Sequence, residues 1–422
     1  MTIERDVMEY DVLIVGGGPA GLSAAIKIKQ IATRENKEIS VCLVEKGAEV
    51  GSHILSGAVI DPVALSELIP DWKEKGAPLN TKVTKDIFNL FSKKRNLKIP
   101  HWLMPPIMSN KQNYIVSLGE LCVWLSKEAE NLGIEIYPGF TAQEPIFNDN
   151  QELVGILTGD MGRDSDGNET VNYAAGIEIR AKYSLIAEGT RGSITKIIEK
   201  KLSLRKNSDP QKYGLGFKEV WRLDKNKHHP GLVEHSLGWP LENDTGGGSF
   251  TYHYGEDLVS LGFVVHLDYS NPYLSPFDEF QSFKTHPKIK NLLAGAKRIS
   301  YGARAINEGG IQSWPELAFP GGVLIGCSAG MVNVPRIKGT HNAMKSGMLA
   351  AEACVDAITK PENINNKTLE QYLQKLKASW VWDDLNSVRN VKPLISKYGT
   401  TLGMLFGGFE MWLASFKIKL PW

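Results

Sequence analysis

The N-terminal residues show the apolar pattern of a βαβ unit. An apolar run ends at Val15, a helix-like pattern follows, and a second apolar run, "EISVCLVEK", comes next. Between the first run and the helix, Gly16, Gly18 and Gly21 form a G-x-G-x-x-G motif. Such glycines permit a tight turn, close approach of a pyrophosphate and close helix packing, and the helix N-terminus offers free amides. The pattern predicts a dinucleotide site; a glycine-rich turn in another kind of βαβ unit is the alternative.

The second apolar run ends in a carboxylate, Glu45, at about the position where dinucleotide folds hold a ribose hydroxyl. An acidic side chain there disfavours a 2′-phosphate, because the two negative charges repel each other. The nucleotide is therefore expected to be FAD or NAD, and this part of the chain does not decide between them.

A helical period is clear in residues 117–133, "SLGELCVWLSKEAENLG". The segment predicts a helix that starts at a capping box of Ser117 and Glu120 and ends at Gly133. Its apolar face is expected to bury five side chains: Leu121, Trp124, Leu125, Ala129 and Leu132.

Residues 88–108, "FNLFSKKRNLKIPHWLMPPIM", fit neither a helix nor a regular strand. Pro100 and the pair Pro105-Pro106 break a helix, and the apolar residues do not alternate strictly. The segment is nevertheless rich in large apolar side chains: Phe88, Leu90, Phe91, Ile99, Trp102, Leu103, Met104, Ile107 and Met108. Taken alone, it is best interpreted as a loop buried under a domain interface.

The totals restrict the class of protein. The 422 residues include 48 basic and 47 acidic side chains, so the overall charge gives no reason to expect a nucleic-acid partner. Four cysteines lie far apart, which argues against a local zinc or iron–sulfur motif and favours a reducing compartment. His228, His229 and His253 lack partners at ligand spacing, so no metal site is expected. No signal-peptide core precedes the first strand, and the most apolar run, residues 400–416, is short for a membrane span and carries Glu410.

Two later segments have the pattern of further nucleotide-contacting turns. A strand ends at Ala187 before "EGTRG", and residues 321–353 combine a strand, a small-residue turn and a helix opened by Gly339-Thr340. A helix N-terminus there would stabilise negative charge on a reduced flavin. The three segments together resemble the glutathione-reductase-type FAD fold, in the branch of aromatic hydroxylases and geranylgeranyl reductases. That branch usually has Gly-Asp where this chain has Gly326-Cys327.

Longer sequence segments point to one particular family within this branch. From about Tyr10 to about Pro393, phrases such as "YGARAINEGG", "LDYSNPYLSPFDEFQ" and "SWVWDDLNSVRNVKP" resemble the electron transfer flavoprotein-ubiquinone oxidoreductase family, where Gly-Cys is normal at that strand end. The resemblance implies FAD as cofactor, electron transfer flavoprotein as donor and ubiquinone as acceptor, with no catalytic side chain. It carries the FAD contacts over to these residues: Gly16, Gly18, Pro19, Ala20, Gly21, Glu45, Gly57, Gly189, Gly326, Gly330, Gly339, Thr340 and Asn342.

The same resemblance implies a quinone site and a membrane contact. It places the quinone head at Gly247 and Gly248, where bare backbone can approach a flat ring. The family usually has Tyr before this pair, whereas this chain has Gly246, and a plain glycine-rich hairpin is the alternative. The expected membrane contacts lie in residues 88–108: Phe88, Phe91, Trp102 and Leu103.

Nearby cations would face lipid headgroups. Residues 400–416, flanked by Lys417 and Lys419, are a second candidate contact, with a core helix as the alternative. Such a monotopic protein would lie on the cytoplasmic face of a bacterial inner membrane, or on the matrix side of the mitochondrial inner membrane in a eukaryote.

The expected fold is α/β with α+β elements: a Rossmann-like, glutathione-reductase-type FAD-binding domain with an inserted β-rich quinone and membrane domain. The FAD domain would comprise residues 1–75, 113–200 and 300–360, the inserted domain 76–112 and 201–299, and a C-terminal helical segment 361–422. Family members continue into a domain holding a [4Fe-4S] cluster, whose cysteine ligands are absent from this chain. A truncated sequence or a separate ferredoxin-like domain or subunit would account for that.

Two rival functions stay open at this point. One is an NAD(P)H-dependent flavoprotein like the geranylgeranyl reductases or hydroxylases. The other is a FAD-bearing subunit that needs a ferredoxin-like partner for turnover.

Overall fold

A computed structural model describes residues 5–54, 57–360, 368–416 and 418. Lys417, Lys419 and residues 361–367 of the expected C-terminal segment lie outside the described residues. The strands are β1 (Val7–Val15), β2 (Val41–Glu45), β3 (Ala58–Ile60), β4 (Thr81–Lys82), β5 (Lys85–Phe91), β6 (Asn96–Ile99), β7 (Tyr114–Val116), β8 (Glu135–Pro138), β9 (Ala142–Phe147), β10 (Leu153–Thr158), β11 (Met161–Arg163), β12 (Glu169–Ala174), β13 (Glu178–Ile186), β14 (Tyr213–Arg222), β15 (Leu232–Gly238), β16 (Gly247–Tyr254), β17 (Leu258–His266), β18 (Lys297–Asn307), β19 (Ala318–Phe319) and β20 (Gly322–Leu324).

The α-helices are α1 (Pro19–Arg34), α2 (Val63–Leu68), α3 (Leu118–Glu130), α4 (Ser193–Lys201), α5 (Pro276–Thr285), α6 (Pro287–Leu293), α7 (Thr340–Thr359), α8 (Glu370–Lys377), α9 (Trp380–Asn386) and α10 (Val391–Ser415). Short 3-10 helices lie at His101–Leu103, Pro106–Met108, Lys225–Lys227, Ile311–Ser313 and Gly326–Ser328.

An eight-stranded sheet organises the first layer. Its main path runs β19-β20-β13-β1-β2-β8, with β10 paired to β13 and β9 paired to β10. The strands β20, β13, β1, β2 and β8 are parallel, so their carboxyl ends share one edge. Helices α1 and α7 pack together so closely that a Cβ on Gly347 would overlap the carbonyl oxygen of Ala20. The buried Val, Leu and Ile side chains of β1 and β2 meet these helices in one continuous core.

Helix α3 begins close to where its sequence predicts. The Ser117 hydroxyl accepts a hydrogen bond from the Glu120 amide at 3.4 Å, and Gly133 follows the helix with φ +77°. Leu121, Leu125 and Ala129 are buried as expected, and Trp124 is half-buried. The expectation for Leu132 is wrong: its side chain is exposed, because the helix ends at Glu130 and the chain turns outward before it.

A seven-stranded sheet forms the second layer, in the order β18-β14-β17-β16-β15-β5-β6. Neighbouring strands are antiparallel except for β15 and β5. Strand β18 continues in this sheet to Asn307, past the boundary expected at residue 300. The small strand β4, expected in the inserted domain, instead pairs with β7 in a three-stranded sheet with β3.

Residues 88–108 begin as a β-hairpin, which their irregular apolar pattern did not predict. Phe88 pairs with Ile99 across β5 and β6, and the two 3-10 helices at 101–108 follow. Phe91 is only 7% exposed, and its ring stacks on His286 at 4.3 Å and on Phe283 at 5.9 Å between ring centroids. Phe91 is therefore a core residue of the second layer, and its expected role as a membrane contact is wrong.

The C-terminal helix α10 is broken near its middle. Gly399 has a φ of +75°, and Asn243 caps the second half by accepting hydrogen bonds from the Thr400 and Thr401 amides at 2.8 Å each. This second half coincides with the apolar run 400–416. Gly403, Gly407 and Met411 are buried on its inner side, so part of it is a core helix.

Candidate functional site

Three turns meet at the carboxyl edge of the first sheet. The amide of Ala187 donates to the carbonyl of Val15 at 2.8 Å, and the amide of Ile325 donates to that of Ile186 at 3.0 Å. The turns that begin at Gly16, Ala187 and Gly326 are therefore neighbours, although they are far apart in sequence. This is the edge at which open α/β sheets bind their ligands.

The first turn has the geometry that its glycines predict. Gly16 has a φ of +113°, and a Cβ there would lie 2.5 Å from the carbonyl oxygen of Ala187. A Cβ on Gly21 would overlap the carbonyl oxygen of Gly16. Gly18 differs: it has ordinary extended backbone, and a Cβ there would meet no atom of the described residues within 4 Å. The open space lies at the N-terminus of α1, just before Pro19 and Ala20, where free amides favour a diphosphate.

Glu45 closes one side of this space. Its carboxylate accepts hydrogen bonds from the amides of Gly17 at 2.8 Å and Gly47 at 2.7 Å. These bonds fix the carboxylate at the end of β2, where it can still accept from ribose hydroxyls, since each oxygen has more than one lone pair.

Small residues keep the second and third turns together. Gly326 has a φ of +59°, and a Cβ there would lie 2.7 Å from the Cβ of Ala20. The Gly326 amide donates to Ser346 Oγ at 2.9 Å, and the Gly189 amide donates to Ser328 Oγ at 3.1 Å. Neither serine was among the predicted site residues.

The remaining predicted contacts surround the same region. Gly57 and Gly330 have φ of +78° and +83°. The Gly57 carbonyl accepts from the buried ammonium of Lys218 at 2.8 Å, and the Gly330 carbonyl accepts from Trp314 Nε1 at 3.3 Å.

The N-terminus of α7 carries polar atoms that lack partners. Gly339 precedes the helix, Thr340 is its first residue, and Asn342 is fully buried. The side-chain amide of Asn342 donates to Asp384 Oδ2 at 3.0 Å. Among the described residues, Asn342 Oδ1 and His341 Nδ1 have no hydrogen-bond partner. Buried orphan atoms beside a helix N-terminus fit the polar edge of a flavin, because such groups are normally satisfied.

A cavity of about 250 Å³ lies between α7, the second sheet and α10. Gly339, expected at the flavin, and Gly247 and Gly248, expected at the quinone, all line it. Its walls are mostly apolar, with Phe88, Met108, Phe250, Val264, Ile306, Val334, Ile395 and Met404 among the lining residues. Phe88 thus faces this cavity, whereas it was expected on a membrane surface.

The glycine pair also has a packing role. A Cβ on Gly247, which has a φ of +150°, would overlap the carbonyl oxygen of Val264, and a Cβ on Gly248 would lie 2.7 Å from the carbonyl oxygen of Ser236. Both glycines are thus required where β16 approaches its neighbouring strands. The same absence of side chains leaves their backbone open to the cavity.

A local contact accounts for Gly246, which stands where the family usually has Tyr. A Cβ on Gly246 would overlap Nδ1 of His266 and would lie 2.9 Å from the Cε1 and Cγ atoms of the same ring. His266, at the end of β17, uses the space that a side chain at position 246 would need, and its ring enters the cavity.

Gly246→Ala is expected to destabilise the protein, and His266→Ala is expected to relieve much of that cost. The physical reason is steric: with the imidazole removed, the added methyl group has room. Thermal or urea unfolding of the two single variants and the double variant measures the coupling, which should exceed the roughly 0.5 kcal/mol deviation that independent sites show. Additive effects would contradict the steric link.

An exposed apolar surface adjoins the part of α10 that lines this cavity. Trp102 is 75% exposed and Leu103 is 49% exposed, while Trp412 Nε1 donates to the carbonyl of Leu103 at 3.1 Å. Helix α10 adds the exposed side chains of Leu402, Leu405, Phe406 and Phe409, and Phe416, which follows the helix, is exposed as well. We call these seven residues the apolar surface. In the part of the chain that the structure describes, no helix is long and apolar enough to cross a membrane.

The sequence did not reveal the charged side of the cavity. Three side chains line this side of the cavity: His266 at the end of β17, Glu308 just after β18, and Lys392 at the start of α10. Glu308 and Lys392 lie inside phrases that had carried the family resemblance, and His266 lies immediately before another. The phrases were a usable signal, but they offered no chemical reason to connect these residues.

Two family models match the chain. A model described as "ETF-QO, ubiquinone-binding" matches residues 213–306, which contain β14 to β18 and the glycine pair. A model described as "FAD binding domain" matches residues 11–75, which contain the first turn and Glu45. This match supports FAD as the nucleotide, which the first turn alone left undecided between FAD and NAD.

The most informative relatives share about half of their residues with this chain. The mitochondrial electron transfer flavoprotein-ubiquinone oxidoreductase of Bos taurus is 51% identical, over 100% of this chain and 69% of its own length. The protein of the same name from Pseudomonas aeruginosa is 52% identical, over 99% of this chain and 76% of its own.

A solved structure, of a geranylgeranyl bacteriochlorophyll reductase-like protein from Thermoplasma acidophilum, has a TM-score of 0.68 at 17% identity and covers 96% of each chain. At that identity the likeness concerns the fold alone, and it confirms the expected α/β FAD-binding fold. Full-length identity near one half, together with the matched FAD-binding and ubiquinone-binding segments, shows that the chain belongs to the electron transfer flavoprotein-ubiquinone oxidoreductase family.

Proposed function

We propose that this chain binds FAD and passes electrons from reduced electron transfer flavoprotein to ubiquinone at a membrane surface. The observation that carries the proposal is the shared cavity, which is lined both by Gly339 at the start of α7 and by the glycine pair of the matched quinone segment. A quinone in this cavity would lie next to the flavin-facing turn, so electrons would have a short path between them.

Bound FAD would supply the two-electron store, and the chain's own residues would hold it. The backbone of Gly16, Gly18 and Gly21 would cradle the diphosphate, and Glu45 would accept from the ribose. Gly189, Gly326 and the first residues of α7 would follow the flavin end of the cofactor. The helix N-terminus at Thr340 favours negative charge on the ring.

The quinone would enter from lipid. Its head would contact the backbone of Gly247 and Gly248, and its tail would pass the apolar side chains of α10. The apolar surface would rest in the interfacial layer of the bilayer, and the exposed Lys93, Lys94 and Arg95 would face lipid headgroups. Of the membrane contacts expected from sequence, Trp102 and Leu103 remain in the proposal, whereas Phe91 and Phe88 do not. We therefore propose a monotopic protein that would lie on the cytoplasmic or matrix face of its membrane.

The source of electrons is the second part of the proposal. In this scheme electron transfer flavoprotein delivers them through a [4Fe-4S] cluster held by a ferredoxin-like domain or subunit. Cys42, Cys122 and Cys354 are buried and lie far apart in sequence. They are not proposed as ligands of the cluster.

The test begins with flavin analysis of the purified protein, followed by anaerobic photoreduction and mixing with a short-tailed ubiquinone. Rapid return of the oxidised flavin absorbance is expected. Reduced flavin that persists would contradict quinone reduction. Rapid bleaching of the oxidised protein by NADPH alone would instead favour the geranylgeranyl reductase-like or hydroxylase-like alternative.

Met404→Trp is expected to raise the half-saturating quinone concentration by about tenfold, because the larger ring fills part of the cavity that Met404 lines. Flavin content should not change, since Met404 lies on α10 and not at the sheet edge. The measurement is the quinone dependence of flavin reoxidation. Gly408→Ala on the same helix is the control, because a Cβ there meets none of the described atoms within 4 Å. Equal concentration dependence in both variants would place the quinone elsewhere.

A further inference from the structure

The carboxyl group of Glu308 lies on one side of the cavity, and the described part of the chain does not supply hydrogen-bond partners for both of its oxygens. Glu308 is 2% exposed and lies against Gly214 of β14, where a Cβ would overlap its carboxylate oxygen. Its Oε1 is 3.5 Å from Nε2 of His266, and its Oε2 has no hydrogen-bond partner among the described residues. A buried polar atom of this kind calls for a partner that enters the cavity.

A line of polar groups connects Glu308 to the surface. Nζ of Lys392 lies 2.9 Å from Nδ1 of His266 and 2.9 Å from Oδ1 of Asp268. Asp268 is partly exposed and lies 3.5 Å from Nζ of Lys212, which is more exposed still. Ser396 Oγ donates to Asp268 at 3.0 Å. The order from solvent to cavity is therefore Lys212, Asp268, Lys392, His266 and Glu308.

The local charges set the protonation states along this line. Burial raises the pKa of Glu308 to about 8, so this carboxyl group holds its proton near neutral pH. Burial, with the neighbouring Lys392 charge, lowers the pKa of His266 to about 3, so its imidazole is neutral. Burial opposes ionisation of Asp268, but its bond to Lys392 is stronger and brings the pKa down to about 2. The other titratable groups that line the cavity are His235, Lys338 and Arg389.

Quinone reduction needs protons at a site that excludes water. The overall reaction joins one quinone, two electrons and two protons to give one hydroquinone. The electrons come from reduced FAD under the proposed function, on which this inference rests. The backbone of Gly247 and Gly248 supplies no transferable proton, so the apolar cavity needs a donor of another kind.

We propose that Glu308 donates a proton to the bound quinone, and that His266, Lys392 and Asp268 form the route by which that proton is replaced. In this step the O–H bond of the Glu308 carboxyl group breaks as an O–H bond forms on a quinone oxygen. The Glu308 carboxylate then takes a proton from His266 Nε2, while Nδ1 of the same ring receives one from Lys392. Lys392 is recharged from solvent at Asp268. A second passage along the same route supplies the second proton.

The test compares Glu308→Gln with the unaltered FAD-loaded protein. After photoreduction, reoxidation by a short-tailed ubiquinone is followed by stopped-flow absorbance from pH 6 to 9. We expect the variant to be at least tenfold slower near neutral pH. The unaltered protein should slow above about pH 8, where Glu308 loses its proton, and the variant should lack this step. Glu256→Gln, at an exposed position in the turn between β16 and β17, is the matched control and should behave as the unaltered protein.

Two further measurements separate this role from a structural one. Ferricenium accepts one electron without a proton, so its rate should be alike in both proteins. Unfolding provides a readout that does not depend on turnover. The pKa of Glu308 is higher in the folded protein than in the unfolded chain, so the folded protein loses stability progressively as the pH rises from about 4.5 to about 8. Glu308→Gln should therefore gain thermal stability relative to the unaltered protein across this range.

The outcomes are distinguishable. Equal quinone rates and equal pH profiles in Glu308→Gln and the unaltered protein would overturn the proton route while leaving the proposed function in place. An equal loss with ferricenium would also overturn it, because the variant would then impair electron transfer in general. An unaltered protein that fails to reduce quinone at all would overturn the proposed function itself.

Discussion

Gly18→Val is expected to remove FAD binding while leaving the polypeptide folded. The backbone at Gly18 is extended, and a Cβ would meet no atom within 4 Å in the described part of the chain, so the side chain fits the protein without FAD. The same side chain would occupy the space that a diphosphate needs above the amides of α1. We expect the affinity for FAD to fall at least a hundredfold, measured by flavin fluorescence on titration of the deflavinated protein.

Gly21→Ala provides the contrasting variant. Its methyl group would overlap the carbonyl oxygen of Gly16, so this change is expected to lower the melting temperature even without FAD. A Gly18→Val protein that retains full flavin content after purification would contradict the assignment of this turn as the diphosphate site.

Replacing Leu405, Phe406 and Phe409 together by Ser is expected to release the protein from phospholipid vesicles. All three are at least half exposed on α10. Full burial of such a side chain is worth roughly 1.5–3 kcal/mol. If each of the three side chains contributes only half of the lower value, their sum still exceeds roughly 1.4 kcal/mol. That free energy corresponds to a tenfold change in partitioning between water and membrane.

The matched control replaces three other exposed apolar or aromatic side chains, Val171, Tyr273 and Tyr301, by Ser. These lie on strands and loops outside the apolar surface, so vesicle binding should stay at its original level. Co-sedimentation with vesicles that contain anionic lipid measures both variants. Equal retention of both on the vesicles would contradict the membrane contact.

The features that sequence predicted well are those decided within a few residues. The first turn follows from three glycines between a strand and a helix, and the start of α3 follows from Ser117 and Glu120. The end of that helix was predicted less well: Leu132 continued the apolar period, but the helix ends at Glu130 and the chain turns before Leu132. Local rules thus predict where elements begin better than which side chains they bury at their ends.

Packing between distant elements was not predictable. Phe91 lies in a segment rich in apolar residues, and nothing nearby shows that His286 and Phe283 enclose it. His266, Glu308 and Lys392 come together only because β17, β18 and α10 meet at the cavity. Their pairing depends on sheet order and helix position, which a single sequence specifies only through the whole fold.

Helix α10 contributes side chains both to the cavity wall and to the apolar surface, so the choice of detergent or bilayer is expected to affect quinone assays. Its inner residues Ile395 and Met404 form part of the cavity wall, while Leu405 and Phe406 point outward. A detergent micelle that coats the outer residues would also crowd the entrance. Long-chain quinones presented in micelles should therefore seem poorer substrates than the same molecules dissolved in a bilayer, and short-chain analogues should be affected much less.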